Sequence, residues 1–254
     1  MRLKVLGAYG SDGQGQRPSA FLVDDHVLVD AGTVGGALSV PEQIAITHAV
    51  LSHAHLDHTV GLAFLADTLA MVAPERSVTA CSIARVIETL RTHVFNDALW
   101  PDFTRLPSRR RATARLRAIP EGGTFSADGV LFRPVRVNHI VPTFGYLVST
   151  PRVSILFSSD TGPTRALWAL AEHAENLKAI FLEVSFSNAQ AQVALASKHL
   201  TPKLVAAELE KTTRDVPVYL YHLKPPSEAA IRREVRALKM PRLKIVEAGE
   251  VLEF

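Results

Sequence analysis

Residues 52–58 read Ser52-His53-Ala54-His55-Leu56-Asp57-His58 and place four potential metal ligands within six positions. A largely apolar run over residues 44–51 leads in, and an apolar, helix-like stretch over residues 61–69 leads out. The expected geometry is a strand end, a tight turn and a helix start. In the extended part His53 and His55 point the same way, because strand side chains repeat every second residue. Asp57 and His58 follow the turn and can point elsewhere, so one short loop can serve two adjacent metal ions. Imidazole nitrogen and carboxylate oxygen suit zinc, manganese or iron. The alternative, a solvated polar turn, leaves so much histidine beside apolar strands without a reason.

Composition bounds the rest. The 254 residues fit one large α/β domain, and a hydrophobic content of 47% is ample for its core. A net charge of +3 slightly favours an anionic substrate but does not demand nucleic acid. Cys81 is the only cysteine, so neither a disulfide framework nor a thiolate metal cluster is expected, and its thiol reads as a small buried apolar group. The N-terminal residues read as a first strand rather than a signal peptide. No apolar stretch has the length of a membrane span, and a cytoplasmic protein is expected.

The elements that must position these ligands follow from pattern. Residues 3–6, 20–23 and 27–29 read as strands, the last two joined by an Asp24-Asp25 hairpin turn, with the glycine-rich residues 7–18 as a loop. Asp30 reads either as a turn residue bonding local N–H groups or as a support near metals. A strand is expected over 77–81 and a helix over 82–90 capped by Ser82. Residues 91–103 mix aromatics, His and Asn without clean periodicity. Arg109, Arg110, Arg111, Arg115 and Arg117 read as an exposed solvated segment, with a basic rim for a phosphate-bearing ligand as the alternative. Strands are then expected over 131–137, 143–149, 153–158, 178–184, 216–221 and 243–246. Helices are expected over 162–174 with Pro163 in the first turn, over 189–196, over 202–211 with a Thr201 cap and Pro202 at its first position, and over 227–238. A run of strands followed by strand–helix alternation, twice over, is α/β class: two sheets with helices outside.

A two-metal site needs more than four ligands, and the further candidates sit at strand ends. His139 follows the strand over 131–137, Asp160 that over 153–158, and His222 that over 216–221. A lone residue so placed is more often a turn residue. Three such placements beside the histidine cluster reverse that expectation. His48 reads as a core or supporting residue, and His26 and His173 as surface ones. His199 lies just before a helix cap, with Glu183 upstream, and reads as a helix-entry residue or as a proton donor beside the metals.

Five stretches resemble the class II cyclic-nucleotide phosphodiesterases of the metallo-β-lactamase superfamily. They are residues 52–58; His93-Val94-Phe95-Asn96 with Trp100-Pro101-Asp102; Phe157-Ser158-Ser159-Asp160-Thr161-Gly162-Pro163; Glu183-Val184-Ser185-Phe186 with His199-Leu200-Thr201-Pro202; and Tyr221-His222-Leu223-Lys224-Pro225. The first and third are shared widely across the superfamily, the others less so. The resemblance implies a four-layer αββα metallo-β-lactamase-like sandwich forming a single domain over 1–254. It implies two divalent ions, zinc first, with manganese or iron as alternatives. His53, His55 and His139 would bind one, Asp57, His58 and His222 the second, and Asp160 would bridge them about 3.5–4 Å apart. A bridging hydroxide oriented by Asp57 would attack the phosphorus of a 3′,5′-cyclic nucleotide such as cAMP or cGMP, giving a 5′-nucleotide. His199 would hold a phosphoryl oxygen and protonate the leaving 3′-oxygen, and His93, Asn96 and Trp100 would wall the base or ribose.

Rival readings remain. A tRNA 3′-end endonuclease shares Glu183 and His199-type motifs and could use the arginines on RNA, but no long glycine-rich arm is evident. A non-hydrolytic nucleotide-binding protein conflicts with the full ligand set. A lactonase or thioesterase is a further possibility, because fold does not fix function. A homodimer is left open.

Overall fold

Short apolar runs broken by Asp, Gly and Pro turns produce fourteen strands in two seven-stranded mixed sheets. The computed structural model describes residues 1–254. Two compact units are present, one built from residues 1–7, 17–120 and 248–253, the other from 8–16, 121–247 and 254.

The first unit contains β1 (Arg2–Gly7), β2 (Ala20–Val23), β3 (Val27–Ala31), α1 (Val40–Ala45), β4 (His48–Val50), α2 (Leu56–Val72), β5 (Val78–Ile83), α3 (Ala84–His93), β6 (Ala114–Ile119) and the chain's last strand, β14 (Val251–Glu253). Its sheet order is β14-β1-β2-β3-β4-β5-β6. β1, β2 and β3 pair antiparallel, with Asp24 and Asp25 at positive φ in the expected hairpin turn. From β3 to β6 all pairs are parallel, each reached through a helical crossover. Leu62, Leu65, Ala66 and Leu69 of α2 are buried in one core with Leu28, Ala49 and Ala80 of the strands and with Leu51 just after β4. Gly61 allows this approach: a Cβ there would lie 2.7 Å from the Ala31 carbonyl oxygen.

One expectation fails in this unit, and one strand goes unannounced. Ser82 does not cap a helix. It lies inside β5 and its hydroxyl donates to the Leu51 carbonyl at 2.7 Å, so the side chain serves a sheet contact. The five arginines are exposed, as expected, but residues 114–119 also form a strand that the charge run does not announce. Arg115 and Arg117 sit on β6 opposite Thr79 and Cys81 while Ala114 and Ile119 are buried, and Arg109–Arg111 form an exposed short 3-10 turn. Cys81 is buried, as expected.

The second unit contains β7 (Phe125–Ala127), β8 (Val130–Arg136), β9 (Phe144–Ser149), β10 (Ser154–Phe157), α4 (Ala166–Glu172), β11 (Leu177–Glu183), α5 (Ala191–Ser197), α6 (Pro202–Leu209), β12 (Val218–Tyr221), α7 (Glu228–Ala237) and β13 (Leu243–Ile245). The sheet order is β13-β12-β11-β10-β9-β8-β7, antiparallel from β7 to β10 and parallel from β10 to β13. Both sheets thus join an antiparallel meander to a four-stranded parallel half, a likeness that no internal sequence repeat announces. Leu156, Ile180, Leu182 and Leu220 share a core with Trp168 of α4, Val205 of α6 and Ile231 of α7. Thr201 caps α6 as expected, accepting the Leu204 N–H with Pro202 at the first position. The helix expected from residue 162 starts only at Ala166, so Gly162 and Pro163 belong to the loop that follows Asp160. No helix is long and apolar enough to cross a membrane.

Candidate metal centre

In the first unit the parallel strand β4 delivers its continuation, residues 51–55, to the start of α2, which His55 precedes as the capping residue. His53 and His58 are fully buried, and His55 and Asp57 half-buried. Asp30, at the end of β3, adopts φ +56 and turns its buried carboxylate onto this loop. Its Oδ1 accepts the Ser52 N–H at 2.8 Å, and its Oδ2 accepts the Ser52 hydroxyl at 2.9 Å. His58 Nδ1 lies 2.7 Å from Oδ2, and His53 Nδ1 lies 2.9 Å from Ser52 Oγ. The Ser52 proton is committed to an acceptor-only carboxylate, so both rings donate from Nδ1 and present Nε2 as a lone-pair donor. His53 Nε2 and His55 Nδ1 stand 3.0 Å apart, a separation that calls for a shared proton or cation.

His93, Asn96 and Trp100 occupy the same unit but not one cluster. His93 is the exposed last residue of α3. Asn96 spends its side chain on the following turn, accepting the Ala98 and Leu99 N–H groups and donating to the Thr92 carbonyl. Trp100 packs edge-on to Phe64, ring centroids 5.4 Å apart, against the unit's core.

In the second unit three parallel strands end side by side and release Asp160 after β10, Glu183 at the end of β11 and His222 after β12. His139 follows β8, and His199 precedes α6. Asp160, His139, His199 and His222 are all buried. Asp160 Oδ1 lies 3.2 Å from His222 Nε2, and its Oδ2 lies 3.9 Å from His139 Nε2. One ligand atom from each of Asp160, His199 and His222 falls within 4.8 Å of the others.

A buried support holds this cluster. The Ser185 hydroxyl donates to Glu183 Oε2 at 2.9 Å, and its oxygen lies 2.9 Å from His222 Nδ1 and 3.1 Å from His199 Nδ1. Glu183 Oε1 takes His199 Nδ1 at 2.8 Å and the Thr161 N–H at 3.1 Å. One carboxylate therefore orients both rings with Nε2 outward and anchors the residue next to Asp160. Burial disfavours the His199 imidazolium, but the Glu183 carboxylate outweighs that effect and holds the ring's pKa above the ordinary histidine value. Gly10 packs against the His222 ring: a Cβ there would lie 2.5 Å from His222 Cε1, and the Lys224 ammonium donates to the Gly10 carbonyl.

The donors fit a hard or borderline divalent ion: neutral imidazole nitrogens and carboxylate oxygens, their orientation set by partners on the far ring nitrogen. The sequence singles out His139, Asp160 and His222 at strand ends, where the structure shows them buried, but gives no role to Ser52, Ser185 or Lys224. Glu183 carried a usable signal, a single charge inside the apolar run Ile180-Phe181-Leu182-Glu183-Val184. The two serines carried none, because a hydroxyl becomes informative only when its neighbours in space are known.

Comparison with known proteins gives these arrangements a context. The model of the beta-lactamase superfamily domain matches residues 26–223. A probable 3′,5′-cyclic-nucleotide phosphodiesterase of Yersinia pestis is 28% identical over 226 residues, 78% of this chain and 62% of the relative. The 3′,5′-cyclic-nucleotide phosphodiesterase 1 of Saccharomyces cerevisiae is 35% identical over 65 residues, covering 26% of this chain and 18% of the relative. The chain thus spans less than two thirds of the length of these curated relatives. The crystal structure of unliganded yeast PDE1 superposes with a TM-score of 0.82 at 18% identity, covering 100% of this chain and 99% of that one, which is a likeness of fold.

Proposed function

We propose that this chain, which belongs to the beta-lactamase superfamily, is a metal-dependent phosphodiesterase that opens a 3′,5′-cyclic nucleotide, cAMP or cGMP, to the 5′-nucleotide. The observation that carries the reading is the buried Asp160 carboxylate facing His222 and His139, the first ring set by Ser185 just after β11 and the second by the Lys198 carbonyl, 3.2 Å from His139 Nδ1. The named activity of the Yersinia relative supports the substrate class.

In this reading, which follows the family resemblance, His53, His55 and His139 would hold one ion and Asp57, His58 and His222 a second, with Asp160 as a further ligand. Zinc suits these donors first, with manganese or iron as alternatives. Bound ions would supply an activated water and neutralise charge on the phosphoryl oxygens. The protein's own groups do the rest. Asp30, Ser52, Glu183 and Ser185 keep the ligand rings in one tautomer. Water adds to phosphorus and releases a proton to solvent, the P–O3′ bond breaks, and His199 delivers a proton from Nε2 to the departing oxygen, its Nδ1 being held by Glu183; solvent then returns a proton to His199. Asp57 orients the water. The Lys224 ammonium, anchored on Gly10, adds positive charge for an anionic substrate. His93 and Trp100 supply surface for the base, Asn96 acting through the turn it stabilises. A cytoplasmic location goes with this substrate.

Variants separate these roles. His55→Ala or Asp160→Ala is expected to lose metal and activity together. His199→Ala is expected to keep metal while turnover falls by about 10²–10⁴-fold, the usual worth of a general acid. Full activity of His199→Ala would remove His199 from the reaction.

A further inference from the structure

Ser159 combines two unfavourable features one peptide bond from Asp160. It is 3% exposed and its hydroxyl has no hydrogen-bond partner, an arrangement that ordinarily costs a buried donor its solvation without return. Its φ is +53°, the left-handed region that a residue bearing a Cβ enters at a cost. Glycine would relieve both, and alanine the first.

The surrounding chain holds the residue in this state. The Ser158 N–H donates to the Phe181 carbonyl at 2.8 Å, and the Ser158 hydroxyl donates to the Ser159 carbonyl at 2.8 Å. On the other side Thr161 N–H is fixed on Glu183, and the Gly162 N–H donates to the Asn138 carbonyl, beside His139, at 2.8 Å. The peptide groups on both sides of Ser159 are thus fixed by hydrogen bonds. Backbone strain and an unmet buried donor concentrate at binding positions, where a ligand supplies the missing partner.

We propose that the Ser159 hydroxyl is a phosphoryl-binding group that donates a hydrogen bond to a non-bridging oxygen of the anion held beside Asp160. The assignment deepens the phosphodiesterase reading and rests on it for the identity of the anion.

The test uses the metal-loaded full chain with inorganic phosphate as the probe, followed by calorimetry, alongside Ser159→Gly and Ser159→Ala. Metal affinity and melting temperature are measured on the same samples. Both variants are expected to bind phosphate roughly tenfold more weakly, the worth of one charge-assisted hydrogen bond, with metal affinity unchanged. Ser159→Gly is also expected to melt at a higher temperature than the parent, since it relieves the left-handed strain. Phosphate binding within twofold of the parent in Ser159→Gly overturns the proposal, and so does a metal-loaded parent that binds no phosphate. If Ser159→Ala does not fold, Ser159→Gly alone decides. Phosphate binding by a parent that leaves cyclic nucleotides intact would remove the phosphodiesterase reading while the Ser159 comparison still stands or falls on its own titration.

Discussion

Asp30 shows how much a single side chain does here. The sequence supports two readings, a turn residue and a support near metals, and the structure shows a left-handed backbone with a carboxylate shared by Ser52 and by His58, a proposed ligand. Asp30→Ala removes the acceptor that sets two ring orientations, so metal affinity is expected to fall by about 10–100-fold, measured by competition with a chromophoric chelator. Affinity equal to the parent would show that the His58 ring needs no such partner. Gly10 makes the complementary case, since its role comes from what it lacks. In Gly10→Ala the new methyl meets the His222 ring, and metal affinity is expected to drop while far-ultraviolet circular dichroism stays that of the parent. Nothing local in the glycine-rich run 7–18 distinguishes Gly10 from its neighbours. The contact is with a residue 212 positions away, and only the folded chain reveals it.

At the scale of elements, legibility tracked whether a signal was local. The Asp24-Asp25 turn and the Thr201-Pro202 helix start are written in adjacent residues, and both appear as read. Ser82 looked like a cap because serine suits caps, but a neighbouring strand offered its hydroxyl a carbonyl instead. β6 was hidden because its outward residues are arginines, whose charge masks the alternation of a half-buried strand. Two element contacts can be tested. Trp168 of α4 donates to Glu208 of α6 at 2.6 Å, and the same carboxylate oxygen accepts the Thr164 N–H at 3.2 Å. Trp168→Phe leaves that buried carboxylate short of a donor and is expected to cost about 1–3 kcal/mol in urea unfolding with little change in the denaturant slope. At the C-terminal end of α4, Glu172 accepts from the Thr212 hydroxyl and from the hydroxyl and N–H of Thr213, with Arg214 nearby. These bonds pull its pKa from an ordinary 4.5 down to about 2. The folded state therefore prefers the carboxylate. Its stabilisation is fully present above the unfolded value and is lost as pH falls through about 4.5 toward about 2. Across that acid range the melting temperature of Glu172→Gln is expected to fall less steeply than that of the parent. Parallel curves would mean that these threonines do not discriminate carboxylate from amide.

For the whole molecule, the α/β metallo-β-lactamase fold expected from five short stretches is the one observed, and the family match covers residues 26–223. After β4 in one unit and after β10 and β12 in the other, parallel strands bring their carboxyl ends, and the candidate ligands that follow, to one edge of the sheet, while His139 arrives from the antiparallel β8, a consequence of topology that periodicity alone could only suggest. Ions that bind the folded chain alone must also stabilise it, so stripping the protein with a chelator is expected to lower its melting temperature and readdition of zinc to restore it. The central claim is metal-dependent opening of a cyclic nucleotide. It is tested most directly by incubating cAMP with zinc- or manganese-loaded protein, beside a metal-stripped control and a linear aryl phosphodiester. The account predicts release of 5′-AMP by the loaded protein and none by the stripped one. Cleavage of the linear ester with cAMP left intact, or no turnover of either by protein with metal bound, would contradict it.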